Sequence, residues 1–266
     1  MKERKRNGIR SIQTSMILVV VPIVIVAMVL LSAIGHLSAE KIIRSDAERE
    51  MTQSLEIVNE YISGALAQNQ LVAETLARAA EVTHSQMEAL QAAQGVTYAM
   101  DEAIYREILT DFVAANDDTF GGGIWFEPYA HRADREYYSP YCMRQNGTVQ
   151  YVDNYSLGDG VYYTDQDWYT SVINTNQSAV WSAPYYDSFA KISMVTASAP
   201  IYQNGKLMGV ATADVDLTSM QQMVTNLDIV YDGQAFLLDA NGVYLAHEDS
   251  NKLLEQNIVE ESNASL

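Results

Sequence analysis

The chain has 266 residues, a formal net charge of −18 and a single cysteine, Cys142. That charge excludes a nucleic-acid partner, because phosphate binding needs clustered Lys and Arg, and one cysteine excludes an internal disulfide framework. The length suffices for one large or two modest domains with a proper core.

The first ten residues, "MKERKRNGIR", hold five basic residues and one acid on an otherwise acidic chain. Residues 11–39, "SIQTSMILVVVPIVIVAMVLLSAIGHLSA", contain no Asp, Glu, Lys or Arg. A helix needs about 20 apolar residues to cross the hydrocarbon core, and Met16 to Ile34 supplies them. Basic residues before a span stay in the cytoplasm. The expected order is therefore a cytoplasmic tip at 1–10, a transmembrane helix at 11–37, and residues 38–266 outside the cell membrane. A cleaved signal peptide is the competing reading, with "HLSA" as a poor cleavage site.

From Ala39 to Tyr98 no proline interrupts the chain. Met51, Val58, Ala65, Val72 and Ala79 repeat every seven residues, and Leu55, Ile62 and Leu76 occupy the second seam position, where Asn69 is polar. This predicts a long stalk helix. Its upper half can cover a sheet while its lower half pairs with a second copy, so a homodimer through the stalk is expected. A second helix follows at "MDEAIYREILTDFVAAN", and "DDTFGGG" breaks the helical pattern.

Strands are predicted at 123–129, 137–144, 148–155, 178–188, 191–202 and 207–217. "QNG" joins the second to the third, and "QNGK" at 203–206 is an Asn-Gly hairpin turn between the last two. "TSMQQMVTNL" is a short helix, and "QAFLLDANGVYLAHED" (234–249) is a further hairpin. Long helices ahead of an antiparallel sheet make an α+β domain. The boundaries are 38–225 for the helix with its sheet module and 226–266 for an incomplete second module.

One stretch stands apart. "YYTDQDWYTSV" (162–172) crowds Tyr162, Tyr163, Trp168 and Tyr169 around Asp165 and Asp167. Tyr185 and Asp187, two apart on a predicted strand, leave by the same face. On "GVATADVDL", Thr212, Asp214 and Asp216 share one face and Ala211, Ala213, Val215 and Leu217 the other. Residues 145–190 contain no Lys or Arg. Unpaired acids on an enclosed face repel one another unless a cation joins them, and aromatic faces hold ammonium groups. These residues suit a cationic ligand. Core aromatics, and capping or solvated acids, are the bland alternative, above all for Asp216.

Calcium is a further alternative, yet "DNYSLGDG" and "TDQD" do not match the twelve-residue calcium loop. No metal site or cofactor is expected. Catalysis finds no HExxH, Gly-x-Ser-x-Gly, phosphate-binding or dinucleotide motif, and His36, His84, His131 and His247 are scattered.

The run "DWY…APYYD…KISMVTASAPIY-NGKLMGVATADVDL…FLLDANGVYLAHED", placed after a membrane helix and a long helix, resembles the double Cache (dCache) sensors of bacterial receptors. The whole is most like a methyl-accepting chemotaxis protein. The resemblance implies a PAS-like, membrane-distal Cache module with no enzyme activity. It implies a small amine or amino-acid ligand, held in amino-acid-binding members by an Arg two positions before a Trp-Tyr pair, a Tyr-x-Asp and a later strand Asp. The matching positions are Trp168 and Tyr169, Tyr185 and Asp187, and Asp214, with Gln166 where the Arg belongs. Asp165, Asp167 and Tyr163 complete the expected site. A neutral amide cannot supply the charged fork that grips a carboxylate. The same sensor on a histidine kinase or a diguanylate cyclase is one alternative, and a membrane-anchored, adhesin-like ectodomain without a small ligand is another.

The topology is testable. A cysteine placed by Ser250→Cys is expected to react, in intact cells, with a thiol reagent that cannot cross membranes. Labelling only after lysis would reverse the orientation.

Overall fold

The computed structural model describes residues 12–94, 99–153, 155, 160–227, 229 and 233–264. The expected cytoplasmic tip and most of "DNYSLGDG" lie outside them. The chain divides into two compact units, Met1–Leu55 and Glu56–Leu266, and helix α1 (Ile12–Gln94) supplies residues to both. In the first unit, the apolar side chains from Met16 to Ile34 are exposed on a helix long and apolar enough to cross a membrane. Pro22 sits inside it, as spanning helices tolerate.

The second unit is a sheet between two unlike layers. Helix α2 (Ala99–Ala115) is followed by β1 (Gly121–Phe126), β2 (Tyr141–Gln145) and β3 (Thr148–Val152). A 3-10 turn (Tyr163–Asp165) leads into α3 (Asp167–Ile173). Then come β4 (Val180–Trp181), β5 (Tyr185–Asp187), β6 (Ile192–Gln203), β7 (Lys206–Asp216) and α4 (Leu217–Thr225). The strand order is β3-β2-β1-β7-β6-β4, with β5 also on β6, and every pairing is antiparallel. A hairpin of β8 (Leu237–Leu238) and β9 (Tyr244–Ala246) and a last helix, α5 (Ile258–Ala264), follow.

The Asn-Gly turns at 146–147 and 204–205 form where the sequence places them, while at Asn241-Gly242, in the last hairpin, only Gly242 takes a positive φ, 88°. Asn146-Gly147 and Asn204-Gly205 have φ of 51° and 77°, and 53° and 78°, the double positive φ of a type I′ hairpin turn. One sheet face is lined with small residues, Ala197, Ala199, Ala211 and Ala213, against which Ala73, Leu76 and Ala80 of α1 and Leu109 and Val113 of α2 pack. Small side chains let those helices approach closely. The opposite face carries Trp125, Tyr141, Met143 and Val210, roofed by Trp168, Tyr169 and Val172 of α3. Asp216 caps α4, its carboxylate accepting from the Thr218 amide at 2.8 Å.

One predicted strand divides, and one unassigned stretch takes a definite form. The strand expected at 178–188 divides into β4 and β5, since Pro184 has no N–H to give to a ladder. The "DQDWYTSV" stretch turns helical despite its β-prone aromatics, because Trp168, Tyr169 and Val172 meet the sheet together from one helix face.

Asn69 changes role. It is fully buried in its own chain, with Oδ1 accepting from Thr119 Oγ1 at 2.8 Å and Nδ2 donating to Ala65 O and Asp118 O at 2.9 and 3.2 Å. It ties the α2–β1 connection to α1. Asn69→Leu is therefore expected to lower the folding stability of the chain by about 1–3 kcal/mol, read as a shifted denaturant midpoint. An unchanged midpoint would remove this role.

Candidate functional site

The site begins with glycines. Gly121 and Gly123 stand opposite Asp214 and Thr212 in the β1–β7 ladder. A Cβ on Gly121 would fall 2.2 Å from the Tyr141 hydroxyl oxygen, and one on Gly123 would fall 2.7 Å from the Trp125 ring. Aromatic side chains thus occupy the room two absent side chains leave over the strand. Tyr141 Oη donates to Asp214 Oδ2 at 2.7 Å, and Trp125 Nε1 donates to Thr212 Oγ1 at 2.8 Å.

Asp214 is 3 % exposed in the middle of the sheet. Its second oxygen accepts from Thr196 Oγ1 at 2.7 Å, and Thr196 Oγ1 meets the Tyr185 hydroxyl at 2.8 Å. Asp187, 6 % exposed at the end of β5, accepts from the Phe189 and Ala190 amides at 2.9 and 2.7 Å and from the Tyr155 hydroxyl. Burial outweighs the two hydroxyl donors at Asp214, and with the Asp187 charge it pushes that carboxyl up to about 7. Burial likewise raises the phenols of Tyr141, Tyr155 and Tyr185.

Around the two carboxylates stand Trp125, Tyr141, Tyr155, Trp168, Tyr185 and Met194. The Trp125 ring lies 4.8 Å from Trp168 and 5.2 Å from Tyr155, and Phe189 covers Tyr155 at 4.5 Å. These groups line an empty space of about 230 Å³, partly open to solvent. A water-sized body has only about 10 Å³ of freedom there, about one water. A larger guest enters by moving side chains apart. No basic residue lines the space among the described residues.

Of the residues singled out from the sequence, Trp168, Tyr185, Asp187 and Asp214 line this cavity. Tyr163 and Tyr169 are buried one layer behind it, with hydroxyls donating to Phe126 O and, at 2.6 Å, to Glu127 Oε1. Asp165 and Asp167 are exposed, the latter in the first turn of α3, where a helix N-terminus favours a negative charge. Gln166 is the N-cap residue of α3, and its amide contacts Tyr162 O at 3.3 Å. The three arginines before the site are engaged elsewhere. Arg144 donates to Thr119 O and Asn116 O at 3.0 and 2.9 Å, and Arg132 and Arg135 pair with Glu102 at 3.3 and 3.0 Å.

The sequence reading did not single out Trp125, Tyr141, Tyr155, Met194, Thr196 or Thr212, which also line the cavity. Alternation on "GVATADVDL" does place Thr212 beside Asp214. Nothing local marks the others.

A protein-family model described as "Methyl-accepting chemotaxis protein-like, first PDC sensor domain" matches residues 105–222. Over those residues the chain is similar to the first sensor domain of methyl-accepting chemotaxis proteins. A curated relative, the methyl-accepting chemotaxis protein McpC of Bacillus subtilis (strain 168), is 40 % identical over 84 residues, covering 32 % of this chain and 13 % of McpC. This chain therefore spans a small part of that relative's length. Among solved structures, the extracellular domain of the putative histidine kinase mmHK1S-Z3 matches with a TM-score of 0.61 and 21 % identity, over 80 % of this chain and 78 % of that one. The ligand-binding domain of the Pseudomonas fluorescens chemoreceptor CtaA, solved with L-serine, matches with a TM-score of 0.53 and 16 % identity, over 82 % and 79 %. At such identities the likeness is one of fold. The N-terminal apolar helix and the match of residues 105–222 to a chemoreceptor sensor domain together support a membrane-anchored receptor.

The raised Asp214 predicts a pH signature. Between about pH 4, the usual aspartate value, and about 7, the folded chain keeps a proton that the unfolded chain releases. This group's contribution is full below that window and is lost as pH rises through it. Asp214→Asn should remove that decline, seen as a flatter dependence of the denaturant midpoint from pH 4.5 to 8. Identical slopes for parent and variant would sink the assignment.

Proposed function

We propose that this chain is the ligand-sensing region of a transmembrane chemoreceptor and that the cavity takes a small amine. Residues 38–225 form its membrane-distal module in this reading, and 226–266 begin a membrane-proximal one. The observation that carries the proposal is the pairing of two buried carboxylates inside an aromatic box with no basic residue lining it among the described residues. Burying like charges together is costly unless a cation joins them, and ring faces add about 0.5–2 kcal/mol each towards a desolvated ammonium.

A ligand carboxylate would meet the opposite situation. Gln166 stands at the position where the resemblance calls for an Arg, and Arg132, Arg135 and Arg144 are committed to other partners. The site thus favours an amine over the amino acid that differs from it by a carboxylate. Tyr163, Tyr169, Asp165, Asp167 and Gln166 act from behind or beside the box. Pairing of two copies along α1 belongs to the same reading, with Leu55 exposed below the heptad positions that the sheet covers.

Calorimetric titration of the full chain in detergent, with amines and their matching amino acids, decides this. Amines should bind more tightly. Asp187→Asn and Asp214→Asn should each lose on the order of 2–5 kcal/mol, tens to thousands of fold in affinity. Binding that survives both substitutions removes the site, and a preference for amino acids overturns the amine reading.

A further inference from the structure

The hydroxyl protons of the cavity can be assigned one by one. Tyr141 gives its proton to Asp214 and Tyr155 gives its own to Asp187. Thr196 donates to Asp214 Oδ1, so in its contact with Tyr185 it is the acceptor and Tyr185 the donor. Thr212 is left. Its Oγ1 accepts from Trp125 Nε1 at 2.8 Å, it is 1 % exposed, and its own proton has no acceptor among the described residues. The other cavity hydroxyls point their protons at protein oxygens. Among the described residues that line the cavity, Thr212 alone has one to offer a guest.

We propose that Thr212 is a specificity residue that reads an uncharged acceptor oxygen on the ligand, which makes amino alcohols and similar hydroxylated amines the preferred class. The inference rests on the amine reading of the same cavity. A buried donor without an acceptor is costly, and a ligand oxygen placed against it removes that cost. The acceptor is neutral, because a carboxylate there would face Asp214 and Asp187 without a counter-charge. Thr212 and Asp214 are alternate residues on one face of β7, about 7 Å apart along the strand. An ammonium at Asp214 therefore brings within reach of Thr212 an oxygen about two carbons from the nitrogen.

The probes are ethylamine and 2-aminoethanol, titrated calorimetrically into the full chain and into its Thr212→Val and Thr212→Ser variants. The parent should bind 2-aminoethanol about two- to tenfold more tightly than ethylamine, the range of one neutral hydrogen bond. Thr212→Val should erase that difference while still binding ethylamine, and Thr212→Ser should keep it. Equal affinities in the parent overturn the role of Thr212 and leave the amine reading standing. So does a preference that persists in Thr212→Val. Valine also takes the acceptor from Trp125, so thermal melting checks its fold, and the parent comparison decides the matter if it unfolds. Binding of neither amine overturns the amine reading itself, and Thr212's role with it.

Discussion

The structure turns on a carboxylate in the middle of a sheet. Asp214 belongs to β7, a central strand with a partner on either side, and is almost fully withdrawn from water. A lone charge there would be prohibitive, and the surrounding hydroxyls reduce that cost without removing it. Tyr141 reaches it from β2 only because β1, which lies between, carries glycine at the crossing point. Thr196 reaches it from β6 and is itself backed by Tyr185 of β5. Four strands thus converge on one side chain. Their convergence shapes the cavity.

The two faces of the sheet divide the labour. Alanines on β6 and β7 let α1 and α2 settle close on one side, which supplies the bulk of the apolar burial. That stability lets the other face hold an arrangement that is poor for folding alone, with two acids among aromatics. A Thr and an Asp therefore alternate with alanines along β7. Two residues beyond Asp214, Asp216 caps α4, and the core of α4 includes Val58 and Ile62 of α1 and Ala246 of β9. The cavity and the second hairpin are therefore joined through one strand and one helix. A ligand can shift such an assembly only as far as its affinity differs between the states it selects.

Periodicity and turn chemistry made much of the fold legible. An uncharged run of spanning length, a long heptad helix, two Asn-Gly hairpins and an alternating β7 need only neighbouring residues to be recognised. Trp168, Tyr185, Asp187 and Asp214 could be picked out because residue type and alternation carry the signal, as the resemblance to Cache sensors also does. Asn69 shows the limit. Its heptad position is correct, yet a heptad does not say whether a seam faces a second helix or the chain's own sheet, and here it meets Asp118 and Thr119. The triple glycine reads locally as a helix breaker. Its use as the floor beneath Tyr141 and Trp125 depends on strands distant in sequence.

The sequence by itself determined the membrane-spanning helix, the α+β class, the Asn-Gly turns and the acidic, aromatic character of one sheet face, all of which follow from local composition and spacing. Tertiary structure alone decided which of those groups meet. Counted back from the Asn204-Gly205 turn without interruption, Thr196 would stand opposite Ala213, on the wrong face. A bulge between Ile201 and Tyr202 shifts the β6–β7 register by one and sets Thr196 opposite Asp214. A single extra residue in one strand moves every later side chain to a new partner, and no local feature of the sequence announces it. The donor that completes the Asp214 network comes from that shift.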